Sequence, residues 1–273
     1  MSALRQQTGF PSPPTSTPHP PPINEGLPPH IHPILAHQNW IQFHGDCREC
    51  RGSCSLWRDL QPSIQLASEL LTHPRSLTWF IRVLHGEEIL DPVTGHLYLL
   101  PSELEREPRA LAWVVEAVRK YLIDFAPHIK ISFGELGKEI HGQMRPWPNK
   151  GFITINATYA EYFLSGQRSP IQDLRTSWAV AVVLVHEIAH AVAFLARGSG
   201  KEALYDRAGD ENDDLGWALE RRIFGVRIDW EIDAIRGATG MWVRKLEDRK
   251  GMGREDLVPL WWLGWTVGFE DSV

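Results

Sequence analysis

The chain has 273 residues, with 28 Lys and Arg against 34 Asp and Glu, and 43% of it is hydrophobic. That apolar content suffices to bury a core, which excludes disorder over the whole length. A net charge of −6 lacks the Lys/Arg excess that phosphate neutralisation needs, so no nucleic-acid partner is expected.

Half of the 20 prolines fall between Pro11 and Pro33. Such a stretch forms neither helix nor sheet interior, and residues 1–36 are predicted as a disordered Pro-rich tail. Docking of an SH3/WW-type partner there is the minor alternative. The N-terminus shows no apolar core of a signal peptide, so a cytoplasmic or nuclear location is expected. Residues 37–273 are expected to form one domain, mostly helical over 37–125, with the chemistry in 126–273.

In chain order, Leu56 to Leu71 reads as an amphipathic helix stopped by His73-Pro74. Ile89 to Leu100 predicts two short strands around the turn Asp91 to Gly95. Ser102 with Glu105 resembles a capping box for a helix with Leu111, Val114, Val115, Val118 and Leu122 on one side. His128 to Leu136 and Phe152 to Ile155 alternate as strands do. A long helix is bounded by Ser169-Pro170-Ile171-Gln172, a capping box with proline in the first turn, and by Arg197-Gly198. A second helix is predicted over Gly209 to Gly225. Trp178 to Ala196 is apolar enough for a membrane check, but His186, Glu187 and His190 lie within it. It is read as a buried helix, so no membrane span is expected.

The segment His186-Glu187-Ile188-Ala189-His190 carries the chemistry. Residues four apart share a helix face, so both imidazoles can reach one Zn²⁺, with Glu187 placed to take a proton from a metal-activated water. Two histidines and a carboxylate buried in an apolar helix need partners, and a metal satisfies all three. The stretch Val185-His186-Glu187-Ile188-Ala189-His190-Ala191 resembles the active-site helix of the zincin metallopeptidases, and the resemblance extends over roughly 130–225 in element order.

That resemblance implies an α+β fold, a small mixed sheet packed on the HExxH helix and followed by a second, ligand-bearing helix. It implies a zinc-dependent peptidase acting on a peptide or related amide, with Glu187 as general base and a peptide or protein as substrate. It also implies a substrate-holding edge strand, for which Lys150 to Asn156 is the candidate. Ala193 and Ala196 exclude the histidine third ligand of the metzincin branch, and the gluzincin branch instead takes a Glu from the following helix. Glu211 continues the inward stripe of Leu215, Ala218, Leu219 and Arg222 and is placed first, with Asp214 and Glu220 as alternatives. Asp214-Leu-Gly-Trp-Ala-Leu-Glu220 is similar to a Glu-Leu-Gly-x-x-Trp-Glu stretch that follows HExxH in uncharacterised fungal proteins, which favours Asp214 or Glu220. Tyr205, Arg207 and His141 are candidate oxyanion donors.

His44, Cys47, Cys50 and Cys54 have the ligand types of a second, Cys₃His zinc site. Four ligands in so short a stretch are crowded, and free thiols are the plainer reading. A catalytically inactive zincin-fold binding module is the alternative to the enzyme. An intramembrane metalloprotease and a DNA-repair protease of the SprT-like kind are weaker options.

Overall fold

The computed structural model describes residues 31–41, 55–93, 95–105, 108–165, 168–198, 203, 214–244 and 256–257. Helices and strands are mixed, as an α+β fold requires. The helices are α1 (Ser55–Thr72), α2 (Pro74–His85), α3 (Pro108–Phe125), α4 (Ala157–Leu164), α5 (Pro170–Arg197) and α6 (Leu215–Phe224). The strands are β1 (Glu88–Leu90), β2 (Leu97–Leu99), β3 (Ile129–Gly134), β4 (Gly142–Trp147), β5 (Lys150–Asn156), β6 (Arg227–Asp233), β7 (Gly237–Arg244) and β8 (Asp256–Leu257).

Helix α5 is the axis of the molecule. The Ser169 side chain accepts from the Gln172 N–H, and the Gln172 side chain accepts from the Ser169 N–H, with Pro170 in the first turn. Gly198 ends the helix at φ 88°, its N–H bonded to the Phe194 carbonyl. Both ends fall where the sequence places them, and such a cap is worth about 1 kcal/mol. Nearly every side chain from Thr176 to Ala193 is buried, against α1 and α6 and against strands β4, β5 and β7. The helix is long and apolar enough to cross a membrane, yet its middle is covered by protein.

One sheet has the order β3-β5-β4, with β3 parallel and β4 antiparallel to β5. Lys150–Asn156 is therefore the central strand, and the edge beside α5 belongs to β4 instead. Small residues set that approach. A Cβ on Gly151 would stand 2.9 Å from Ala191 Cβ, and one on Gly142 would stand 2.7 Å from Glu187 Cγ. Strands β6, β7 and β8 form a second, antiparallel sheet, and β1 with β2 a hairpin in the predicted place.

Several expectations need correction. The Ser102 N–H does donate to the Glu105 carboxylate, but the Ser102 hydroxyl accepts from Leu104 instead of Glu105, the pair closes a short 3-10 turn, and α3 starts only at Pro108. His73-Pro74 does end α1, and it also begins α2, because the His73 ring accepts from the Arg75 N–H and Pro74 occupies the first turn. Ile34 and Leu35, predicted in the tail, are fully buried, since the 3-10 turn Pro33–Leu35 seats them in the core. A helix running on from Gly209 is excluded by the extended backbone of Asp214 (φ −93°, ψ 168°), which is the N-cap of α6. On α6 Arg222 is exposed, whereas Glu220 is buried. Residues 1–30 of the predicted tail lie outside the described residues.

Candidate metal centre

The i, i+4 spacing on α5 sets the His186 and His190 rings side by side, with centroids 5.0 Å apart. The Asp214 carboxylate approaches both from the start of α6. Its Oδ2 stands 3.6 Å from His186 Nε2 and 3.8 Å from His190 Nε2. Its other oxygen, Oδ1, accepts the Trp217 N–H at 2.7 Å and so caps the helix. The capping bond orients the carboxylate, leaving one oxygen for the histidines.

These three donors lie within 4.8 Å of one another and could hold a metal ion. A tetrahedral cation with bonds of about 2.0–2.1 Å sets its ligand atoms about 3.3 Å apart. The two separations from Asp214, 3.6 and 3.8 Å, exceed that by a few tenths of an ångström, so a small side-chain adjustment would bring its carboxylate into the shell. The donor set fits the group that the sequence implies.

Glu220 stands behind the site. Its Oε1 is 2.7 Å from His186 Nδ1, and its Oε2 accepts the Ile228 N–H at 3.0 Å. A carboxylate on Nδ1 fixes the proton there and leaves Nε2 free to face Asp214. Gly216 completes the arrangement, because a Cβ at that position would land on the His186 ring. Asp214, Gly216 and Glu220 thus all touch one histidine. Trp217 sits edge-on to the same ring at 6.1 Å and carries the Arg227 guanidinium on its face.

The charges respond to this crowding. Burial alone would lower the His186 pKa, but hydrogen bonds to Asp214 and Glu220 outweigh it and hold the imidazole well above its usual value. For Asp214, burial opposes ionisation and the bond to His186 overcomes it, so its pKa is lowered. The negative charge that favours the proton on His186 also favours a metal cation, which would compete with that proton for the ring nitrogen.

Glu187 is 5% exposed and leans against β4. Burial raises its pKa, against the pull of His186 and His190 and of a hydrogen bond from the Met144 backbone. A buried carboxyl group beside the candidate ligands is able to accept and return a proton.

His141 shares the cavity but is already engaged. Its Nδ1 lies 3.0 Å from the hydroxyl of the fully buried Tyr159, and the Trp230 backbone also bonds it. Burial lowers its pKa. It ties the β3–β4 loop to α4 and β6, so the structure gives it a bracing role where the sequence suggested an oxyanion donor. Asn156 braces the same loop, its amide donating to the carbonyls of Ile140 and Gly137 at 2.8 and 3.3 Å.

Comparison with protein-family models, curated proteins and solved structures finds no match. The functional reading therefore rests on these side chains. Glu211, Tyr205 and Arg207 lie outside the described residues, as do His44, Cys47, Cys50 and Cys54. Sequence reasoning weighed Asp214 and Glu220 only as rivals for one role, whereas the structure gives them different ones. It did not single out Gly216, although a glycine between two candidate acids in a helix was the available signal.

Proposed function

We propose that the chain is a zinc-dependent metallopeptidase of the zincin kind, hydrolysing a peptide or related amide bond. The observation that carries this reading is the convergence of His186, His190 and Asp214 around one point, with Glu187 beside it on the same helix. Two imidazoles and one carboxylate favour zinc over the oxygen-seeking calcium and magnesium. When bound, zinc would supply Lewis acidity toward a water and a carbonyl oxygen.

The chain's own residues divide the remaining work. Glu187 accepts the proton of the attacking water and returns it to the leaving amine. Glu220 holds His186 in the tautomer that presents Nε2. Strand β4 offers its outer edge, where Gly142, Gln143, Met144 and Pro146 line the cavity, to an extended substrate. Pro146 lacks an N–H, which limits further strand addition at that end.

Zinc per chain, measured on wild type and on His186→Ala/His190→Ala, tests the site. About one zinc lost in the variant supports it, and equal zinc in both sinks it. A peptide-library digestion with Glu187→Gln as control then tests the activity. The variant should keep zinc and lose hydrolysis. Zinc without turnover on any peptide would favour the inactive binding module.

A further inference from the structure

The cleft is a cavity of about 600 Å³, and its two ends differ in chemistry. Past Glu187 toward β6 the walls are mixed, with Glu139, His141 and Asp229 beside Ile228 and Trp230. Past His190 they are Leu97 and Leu99 from β2 with Ala193 and Phe194 from α5. Leu97 and Leu99 share one face of their strand, and Glu88, opposite Leu99 in the register, shares it with them. On α5, Ala193, Phe194 and Arg197 follow His190 by three, four and seven positions and so continue its face along the cleft.

The two charged groups at this end pair with each other. Arg197 pairs with Glu88 at 3.1 Å and spends three further N–H groups on the carbonyls of Val83, Gly86 and Arg82 at 2.7, 2.8 and 3.2 Å. The guanidinium fork thereby fixes the root of the β1–β2 hairpin to the end of α5. A charged substrate group entering there would lose water and have to compete with the Arg197–Glu88 pair for a partner, whereas an apolar one would find walls on both sides.

We propose that the β1–β2 hairpin and the last turns of α5 form an apolar side-chain subsite beside His190, selecting substrates with a branched aliphatic or aromatic residue next to the bond cleaved. This deepens the metallopeptidase reading and rests on it. Leu97 and Phe194 determine the specificity. Arg197 positions the hairpin that carries Leu97.

The test uses the full-length, zinc-loaded protein and short hydroxamates bearing an isobutyl, a carboxymethyl or an aminobutyl side chain. Affinities are measured by calorimetry relative to acetohydroxamate, which has no side chain to fill the subsite. The isobutyl compound should bind about tenfold or more tighter than either charged one. Leu97→Asp should reduce that preference about tenfold and improve the aminobutyl compound, with zinc stoichiometry kept. Phe194→Ala, a milder change from the other wall, should weaken isobutyl binding without favouring either charge. Equal affinities in the wild type, or a preference unmoved in both variants, would overturn the subsite and leave the metal site standing. Failure of acetohydroxamate itself to bind the zinc-loaded protein would overturn the metallopeptidase reading and the subsite with it.

Discussion

Glu220 Oε1 lies 2.7 Å from Nδ1 of His186, and the same carboxylate accepts the Ile228 N–H at 3.0 Å. One buried acid thus holds a candidate ligand and the start of β6 together. Replacing it by glutamine keeps the shape and removes the charge that makes His186 a strong donor. Loss of such an outer carboxylate typically costs 10–100-fold in metal affinity, and Glu220→Gln is expected to fall in that range. Glu220→Ala should in addition leave the Ile228 N–H unpaired, a loss of about 1–3 kcal/mol. Zinc titration against a competing chelator reads the first effect, and urea unfolding of the zinc-free protein reads the second. Unchanged zinc affinity in Glu220→Gln would remove the residue from the site.

Gly216 offers a test in which the expected sign is unusual. In an exposed helix interior, Gly→Ala stabilises by about 0.5–1 kcal/mol. At Gly216 the new methyl would meet the His186 ring, so the ring or α6 must move. Overpacking of this kind costs about 1–3 kcal/mol. Gly216→Ala is therefore expected to lower both the unfolding midpoint and the zinc affinity. A stabilised variant with normal zinc binding would show that α6 does not pack on His186 as described.

Much of this was legible in the sequence, and the exceptions have physical causes. The two ends of α5 could be read because caps are local, and the histidine pair because helix periodicity is local. Strand β4 escaped notice because Gly142 and Pro146 look like breakers, yet one admits Glu187 and the other sits at a sheet edge. Helix α2 escaped because its cap, His73, also reads as the stop of α1. The role of Asp214 depends on where α6 begins. Ranking acids by a helix face assumed that Glu211 and Leu215 shared a helix, and the extended backbone of Asp214 breaks that assumption. Glu220 is buried through contact with a histidine 34 positions earlier, a long-range pairing that no window of sequence displays.

The raised pKa of His186 gives a pH dependence of definite sign. In zinc-free protein, the proton on His186 stabilises the fold. That contribution is fully present below the unfolded value of about 6.5 and is lost as pH rises through the higher folded pKa. Zinc needs the ring nitrogen unprotonated, so its stabilisation grows over the same interval. The gap in Tm between saturating zinc and chelator should therefore widen as pH is raised from about 6 to 8. Glu220→Gln, which removes one of the two carboxylates holding that proton, should shift the widening to lower pH. Melting curves that stay parallel across the range would contradict the coupling.

Asp214 carries two roles, and its substitutions separate them. As N-cap it satisfies the Trp217 N–H, and as candidate ligand it faces both histidines. Serine preserves the cap and removes the ligand, whereas alanine removes both. In zinc-free protein, Asp214→Ser should be more stable than Asp214→Ala by about 1 kcal/mol, the usual worth of an N-cap side chain. Both variants should lose zinc binding to a similar degree, because neither offers a carboxylate. Glu211→Ala, made in parallel, should retain about one zinc per chain. The opposite pattern, with zinc kept in Asp214→Ser and lost in Glu211→Ala, would transfer the ligand role to Glu211 and leave Asp214 as a helix cap alone.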